Sequence, residues 1–244
     1  MLHRRALLAT SCAMVLTMAM AGTSDAQNAP RQRAVLELFT SQGCSSCPPA
    51  DALFVRLAKE PDLIALTYPV DIWDYLGWKD TLAQPGFTAR QKGYGHARGD
   101  RQVYTPQAVI NGEAHAVGSD FMSIDSARRN TAGLKQLEIT LSQAGIVWRV
   151  EAPASGQKGI VWLVPFDRKH DVKIGRGENS GRSVTYANVV RGLIKLADYT
   201  GEAMRMDLPA DARSDKTAGF AIFVQSGSEK RPGTILGAAE SPRQ

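Results

Sequence analysis

The chain has 244 residues, 43% of them apolar and 22% charged, with a formal net charge of +5. That balance suits a soluble globular protein and excludes a disordered or fibrous one. Three cysteines are too few for a disulfide-stapled scaffold. The mild positive excess forms no basic run or aromatic–basic motif, so nucleic acid is not an expected partner.

His3, Arg4 and Arg5 precede an apolar run from Ala6 to Ala21, and Ser24-Asp25-Ala26 offers small residues where a peptidase would cut. Residues 1–26 therefore read as a secretory signal peptide cut before Gln27, and the rest of the chain as periplasmic or secreted in a bacterium. The run is shorter than the roughly 20 apolar residues that a spanning helix needs. No second such stretch follows, so no membrane span is expected after cleavage. Arg4-Arg5 leaves Sec and twin-arginine export both open. Cleavage removes Cys12 and leaves Cys44 and Cys47 as the only thiols.

Val35 to Phe39 is predicted as a strand that ends in a polar turn, after which comes Cys44-Ser45-Ser46-Cys47. Leu53, Phe54, Leu57 and Ala58 then recur at helical spacing, so Ala50 to Lys59 is predicted helical until Pro61 stops it. This order carries chemistry. Two cysteines three apart at a helix start can close a small disulfide while the first stays reachable. Unpaired N–H groups at that end favour thiolate over thiol. Cys44 is then the nucleophile and Cys47 the resolving thiol. Pro48-Pro49 place the helix start near Pro48, which leaves Cys44 somewhat outside its dipole.

Leu63 to Tyr68 is predicted as a buried strand, and Asp71 to Asp80 mixes aromatics with acids without a period. Trp73, Tyr75 and Trp78 read either as a substrate-facing wall beside the cysteines or as core. Pro85 to Ala97 is predicted helical despite Gly93 and Gly95. Val103 to Glu113 reads as a strand entering a hairpin, with Asn111-Gly112 as a two-residue turn and Ala114 to Val117 returning. A helix capped by Ser119 or Asp120 runs to about Leu134.

The order β-α-β-α-β-β-α, with a proline opening the third strand, resembles the thioredoxin-like superfamily. Phe39-Thr40, Gly43 to Cys47, Thr105-Pro106-Gln107, Ile110-Asn111-Gly112 and Gly118 look most like its glutaredoxin branch, although Ser45-Ser46 replaces that branch's proline–aromatic pair. The resemblance implies a cis Pro106 facing the disulfide and a Thr105 that grips a substrate's backbone. Thr105, Pro106, Gln107 and, from the aromatic wall, Trp73 are thus the candidate substrate-binding residues. Across nearly the whole chain after the signal, Glu37 to Asp51, Trp73 to Asp80 and Tyr104 to Gln107 resemble an exported bacterial family, domain of unknown function 1223. The expected partner is a protein or small thiol or disulfide in the cell envelope. No dissociable cofactor is called for, and the oligomeric state is left open.

The second half changes character. Leu137 to Ser142 alternates, Ala144-Gly145 turns and Ile146 to Glu151 returns. Ile160 to Val164 is apolar on both faces, and Ser183–Val190, Glu202–Leu208, Phe220–Gln225 and Thr234–Ala238 add further short strands. The expected fold class is α/β: a thioredoxin-like domain at 30–132 followed by a smaller β-sandwich-like domain at 133–240, with the boundary near Ala132-Gly133.

Dithiol–disulfide exchange through Cys44 and Cys47 is the favoured function. One alternative is a copper or zinc module using those thiolates with His96 or His115, although the histidines show no ligand spacing and no metal site is assigned. The other is a non-catalytic interaction protein with a structural disulfide. Asp71 or Asp74 as a proton relay and Glu37 as a buried acid are lesser candidates. Arg176 to Arg182 reads as a tight charged turn, or as a loop that reaches back over the disulfide or binds a ligand. A Gly-x-Ser-x-Gly elbow and a phosphate loop are both missing.

Overall fold

Every residue of β1 (Ala34–Thr40) and β2 (Leu63–Pro69) is buried, as befits strands covered on both faces. The two pair in parallel from Ala34↔Leu63 to Thr40↔Pro69, and α1 (Pro48–Leu57) makes the crossover between them. The structure is a computed structural model that describes residues 33–131, 137–209 and 218–242. β3 (Gln107–Ile110) pairs antiparallel with the other edge of β1, and β4 (Ala114–Val117) pairs with β3. α2 (Pro85–Arg98) precedes β3, and α3 (Phe121–Thr131) follows β4. The Asp120 carboxylate caps α3 by accepting the Ser123 N–H at 3.1 Å.

The spine of the second half is β7 (Gly159–Lys173). Its first half pairs with β11 (Gly219–Ser228) on one side and with β9 (Ile194–Tyr199) on the other. Its second half pairs with β8 (Ser183–Val190), and β12 (Arg231–Glu240) flanks β11. A separate three-stranded sheet, β10 (Met204–Asp207), β6 (Val147–Ala152) and β5 (Thr140–Ala144), lies over this end. Its Trp148 and Val150 pack on Val161, Leu163, Phe220 and Ile222.

The expectation of an α/β, thioredoxin-like domain followed by a smaller sandwich is overturned. Among the described residues twelve strands stand against three α-helices, and the protein is mostly β. One mixed nine-stranded sheet, in the order β12-β11-β7-β8-β2-β1-β3-β4 with β9 beside β7, runs through both halves. The physical reason lies at the outer edge of β2. A fully buried strand cannot leave one row of N–H and C=O groups unpaired. β8 covers that edge through the parallel pair Thr67↔Val189. Side chains extend the seam where the ladder stops: the Thr67 hydroxyl donates to the Ala187 carbonyl at 2.7 Å, and Asn188 Nδ2 donates to the Ala65 carbonyl at 2.9 Å. The main core accordingly mixes Val35, Phe39, Tyr68 and Tyr94 with Trp162, Val164, Phe166 and Phe223.

The Asn111 hairpin also departs from expectation. Ile110 faces Ala114, so the loop has three residues, Asn111-Gly112-Glu113, with Asn111 and Gly112 both at positive φ. Tertiary bonds decide the difference: Asn111 Oδ1 accepts the Val35 N–H at 2.8 Å and its backbone carbonyl accepts the Ile235 N–H at 2.9 Å. The signal peptide at 1–26, the boundary near Ala132-Gly133 and the helix end at Leu134 lie outside the described residues.

Candidate functional site

Cys44 and Cys47 sit just past the C-terminal end of β1 and form a disulfide with a Cα–Cα distance of 5.4 Å. Cys47 is the residue flanking the N-terminus of α1, and its carbonyl accepts the Ala50 and Asp51 N–H groups at 2.9 and 3.1 Å. Pro48 and Pro49 occupy the first helical positions, where a missing N–H costs nothing. Cys44 therefore lies outside the helix proper. It is 5% exposed and Cys47 is fully buried, while Ser45 and Ser46 are open to solvent. The Ser46 hydroxyl stands 3.4 Å from Cys44 Sγ.

The Thr105–Pro106 peptide is cis. It lies beside the cysteine loop, with the Ser46 hydroxyl 3.5 Å from the Thr105 carbonyl. Trp73 joins the group, its indole N–H donating to the Thr105 hydroxyl at 2.7 Å. A Cβ added at Gly43 would stand 3.0 Å from that of Trp73, so the base of the Trp73 side chain abuts the cysteine turn. Tyr75 lies beside Trp73, its ring tilted by 37° with centroids 6.2 Å apart, and is 74% exposed. Thr105, Pro106 and Trp73 are thus gathered around the pair. Gln107 is not: it is buried, and its Oε1 accepts a hydrogen bond from Gln91 at 2.8 Å.

Two buried acids lie behind the disulfide. Asp51, one helical turn after Cys47, accepts the Thr40 hydroxyl at 2.7 Å through Oδ1, while its buried Oδ2 has no partner. Burial pushes the Asp51 carboxyl up to about 8 against the lowering effect of Thr40, and the nearby Asp80 adds to the rise. Asp80 accepts the Gln42, Leu82 and Ala83 N–H groups at 2.8, 2.9 and 3.1 Å. Burial also raises its carboxyl, against those three amides, with Asp74 contributing. The Tyr186 hydroxyl is raised by burial and then by Asp51 and Asp80, so β8 closes this cluster from the second half.

The turn at Arg176–Arg182, between β7 and β8, reaches the cysteine loop. Asn179 is buried, and its Nδ2 donates to the carbonyls of Gln42 at 3.0 Å and Cys44 at 2.7 Å. Glu178 accepts the Ser45 N–H at 3.3 Å. Trp78 braces the turn from below, donating its indole N–H to Gln42 Oε1 at 2.8 Å and packing under Gly175.

The remaining sequence candidates have other duties. Glu37 is held bidentate by Arg90 at 2.7 and 3.1 Å, and Asp71 accepts the Thr88 hydroxyl at 2.6 Å. Asp74 accepts the Asp80 N–H at 3.0 Å. His115 lies between Tyr104 and Asp100, at 2.8 and 3.2 Å, and His96 is exposed on α2. Among the described residues no three His, Cys, Asp or Glu side chains are grouped as a metal ion would require. Sequence reasoning did not single out Ser46, Asp51 or Asp80, and it marked Glu178 and Asn179 only within the Arg176–Arg182 segment, whose reach over the cysteine loop was one of its readings. Asp51 carried a signal, four residues past Cys47 and hence on the same helix face. Asn179 carried one only as part of the segment from Arg176 to Arg182, dense in glycine and opposite charges.

These features define an α-helix-flanked β protein with a cysteine pair at the end of a central strand, overlaid by a turn from the far half of the chain. The family model for a protein of unknown function, DUF1223, matches residues 35–225, and the chain belongs to that family. The crystal structure of protein AGR_C_4864 from Agrobacterium tumefaciens is similar, with 35% identity, a TM-score of 0.75, and coverage of 85% of this chain and 92% of that one. HBP35 of Porphyromonas gingivalis shares the fold alone, with 12% identity, a TM-score of 0.55 and coverage of 88% and 76%. No curated protein matches the chain.

Proposed function

We propose that the protein carries out dithiol–disulfide exchange on a thiol or disulfide partner in the cell envelope, where the basic and apolar N-terminus would direct it. The observation that carries this reading is the setting of Cys44 Sγ, 3.4 Å from the Ser46 hydroxyl at a solvent-facing loop that also meets Thr105. A hydroxyl there can hydrogen-bond a released thiolate. The resemblance of the Cys44–Cys47 and Thr105–Pro106 stretches to thioredoxin-like redox proteins supports the same chemistry. In the forward step the Cys44 thiolate attacks one sulfur of a partner disulfide, forming a mixed disulfide and releasing the other partner thiolate. The Cys47 thiolate then attacks Cys44 Sγ and releases the second. Trp73 and Thr105 line the approach.

The test is reduction of a model disulfide by the reduced chain. Cys44→Ser should abolish turnover with an unchanged circular dichroism spectrum, and Cys47→Ser should accumulate the mixed disulfide. Full turnover in Cys44→Ser would overturn the proposal. A structural disulfide is the second reading, favoured by the burial of Cys47 and the 5% exposure of Cys44. It expects the Cys44→Ala/Cys47→Ala pair to lose stability and no activity.

A further inference from the structure

We infer that Glu178, reaching from the turn between β7 and β8, favours the disulfide over the dithiolate and so makes the Cys44–Cys47 pair an electron donor to partner disulfides. This rests on the exchange reading and adds its direction. Glu178 accepts the N–H of Ser45, the residue after Cys44, at 3.3 Å. Glu178 is itself solvent-exposed, and this contact holds its carboxylate at the amide one residue along from the sulfur on which a thiolate would form. Asn179 fixes the turn by donating to the Gln42 and Cys44 carbonyls at 3.0 and 2.7 Å. Asp51 from α1 and Asp80 from the segment behind Gln42 are the other acids near the pair, while Arg176 and Arg182 of the same turn are solvent-exposed. α1 begins at Pro48, so Cys44 stands four residues before the first helical residue.

The consequence follows from charge. A thiolate stabilised by its surroundings makes the dithiol form persist and the disulfide a strong oxidant. A neighbouring carboxylate does the reverse, since like charges disfavour the ionised sulfur while leaving the neutral disulfide untouched. The reduced pair then passes two electrons and two protons to a partner disulfide, giving two partner thiols and closing Cys44–Cys47. A dithiol donor of lower potential would have to reopen it.

The experiment equilibrates the purified chain with reduced and oxidised glutathione and counts trapped thiols by mass. In parallel, Cys44 of the phosphine-reduced chain is alkylated across pH. Glu178→Gln should shift the equilibrium about three- to tenfold toward the dithiol, tenfold being about 30 mV for a two-electron couple. It should also carry Cys44 alkylation to lower pH, and Glu178→Lys should do more. The difference from wild type should shrink as salt rises, which a purely structural role would not produce. Identical equilibria and alkylation profiles in all three proteins, or a shift toward the disulfide, would overturn the inference. If the reduced chain exchanges with no disulfide yet Glu178→Gln still lowers the alkylation pH, the exchange reading falls while the influence of Glu178 on Cys44 stands.

Discussion

Asp51 carries a carboxyl group to a place where water cannot reach it, one turn along the helix from Cys47, with one oxygen bonded to Thr40 and the other free. Such a group prefers its proton: burial raises the carboxyl from 3.8 to about 8. The sign of the stability effect follows. Between these values the folded chain holds a proton that the unfolded chain releases, so folding weakens as pH rises from about 4 to about 8. Asp51→Asn keeps the acceptor for Thr40 and removes the titration. Urea midpoints at pH 5 and pH 8 should therefore lie closer together in Asp51→Asn than in wild type, with Asp80 supplying a residual slope of the same sign. An unchanged slope would show that Asp51 ionises freely in the folded protein. The acid was visible in the Cys-Pro-Pro-Ala-Asp stretch. What the stretch did not reveal was the lid of Tyr186 and β8 that makes it buried.

Three elements converge on the disulfide, and Gly118 is where they meet. A Cβ at this position would lie 2.5 Å from Leu38 Cδ1 of β1, 3.1 Å from Pro106 Cβ and 3.2 Å from Ala50 Cβ of α1. The Gly118 N–H also donates to the Pro106 carbonyl at 2.9 Å. Gly118→Ala should consequently cost about 1–3 kcal/mol by overpacking, read as a lower denaturation midpoint. It should also slow exchange, because Pro106 and Ala50 flank the pair. Wild-type stability and activity together would show that the wall yields freely. Elements with a strong local signal, such as α1 and β8, agree with the sequence reading to within a few residues. β9 was not foreseen, since Ile194-Lys195-Leu196 to Tyr199 gains its strand form only by lying along β7.

At the scale of the whole molecule, the described residues form one compact unit. A buried network ties its halves together. Arg90 of α2 bonds Glu37 of β1, Tyr94, and Gln225 of β11 at 3.0 Å. Removing one partner of such a pair strands a buried charge. A fragment of residues 30–132 would lose Gln225, the β8 cover of β2, and the side chains of β7, β11 and β12 from the core. It should show neither near-ultraviolet circular dichroism nor a cooperative thermal transition, and a sharp transition in that fragment would contradict the shared core. Among the described residues no helix is long and apolar enough to cross a membrane.

The sequence by itself determined the local events: a helix that starts at two prolines, a turn that needs Asn111 and Gly112, and two thiols spaced to close on each other. These depend on neighbours within a few residues, through spacing, φ preference and ring geometry. Only the tertiary structure decided that the two halves share a sheet, that Glu178 and Asn179 come to rest on the cysteine loop, and that Glu37 faces Arg90 rather than the disulfide. Those contacts join residues 53 to 137 positions apart, and they arise because buried strand edges and buried charges must find partners wherever the chain happens to return.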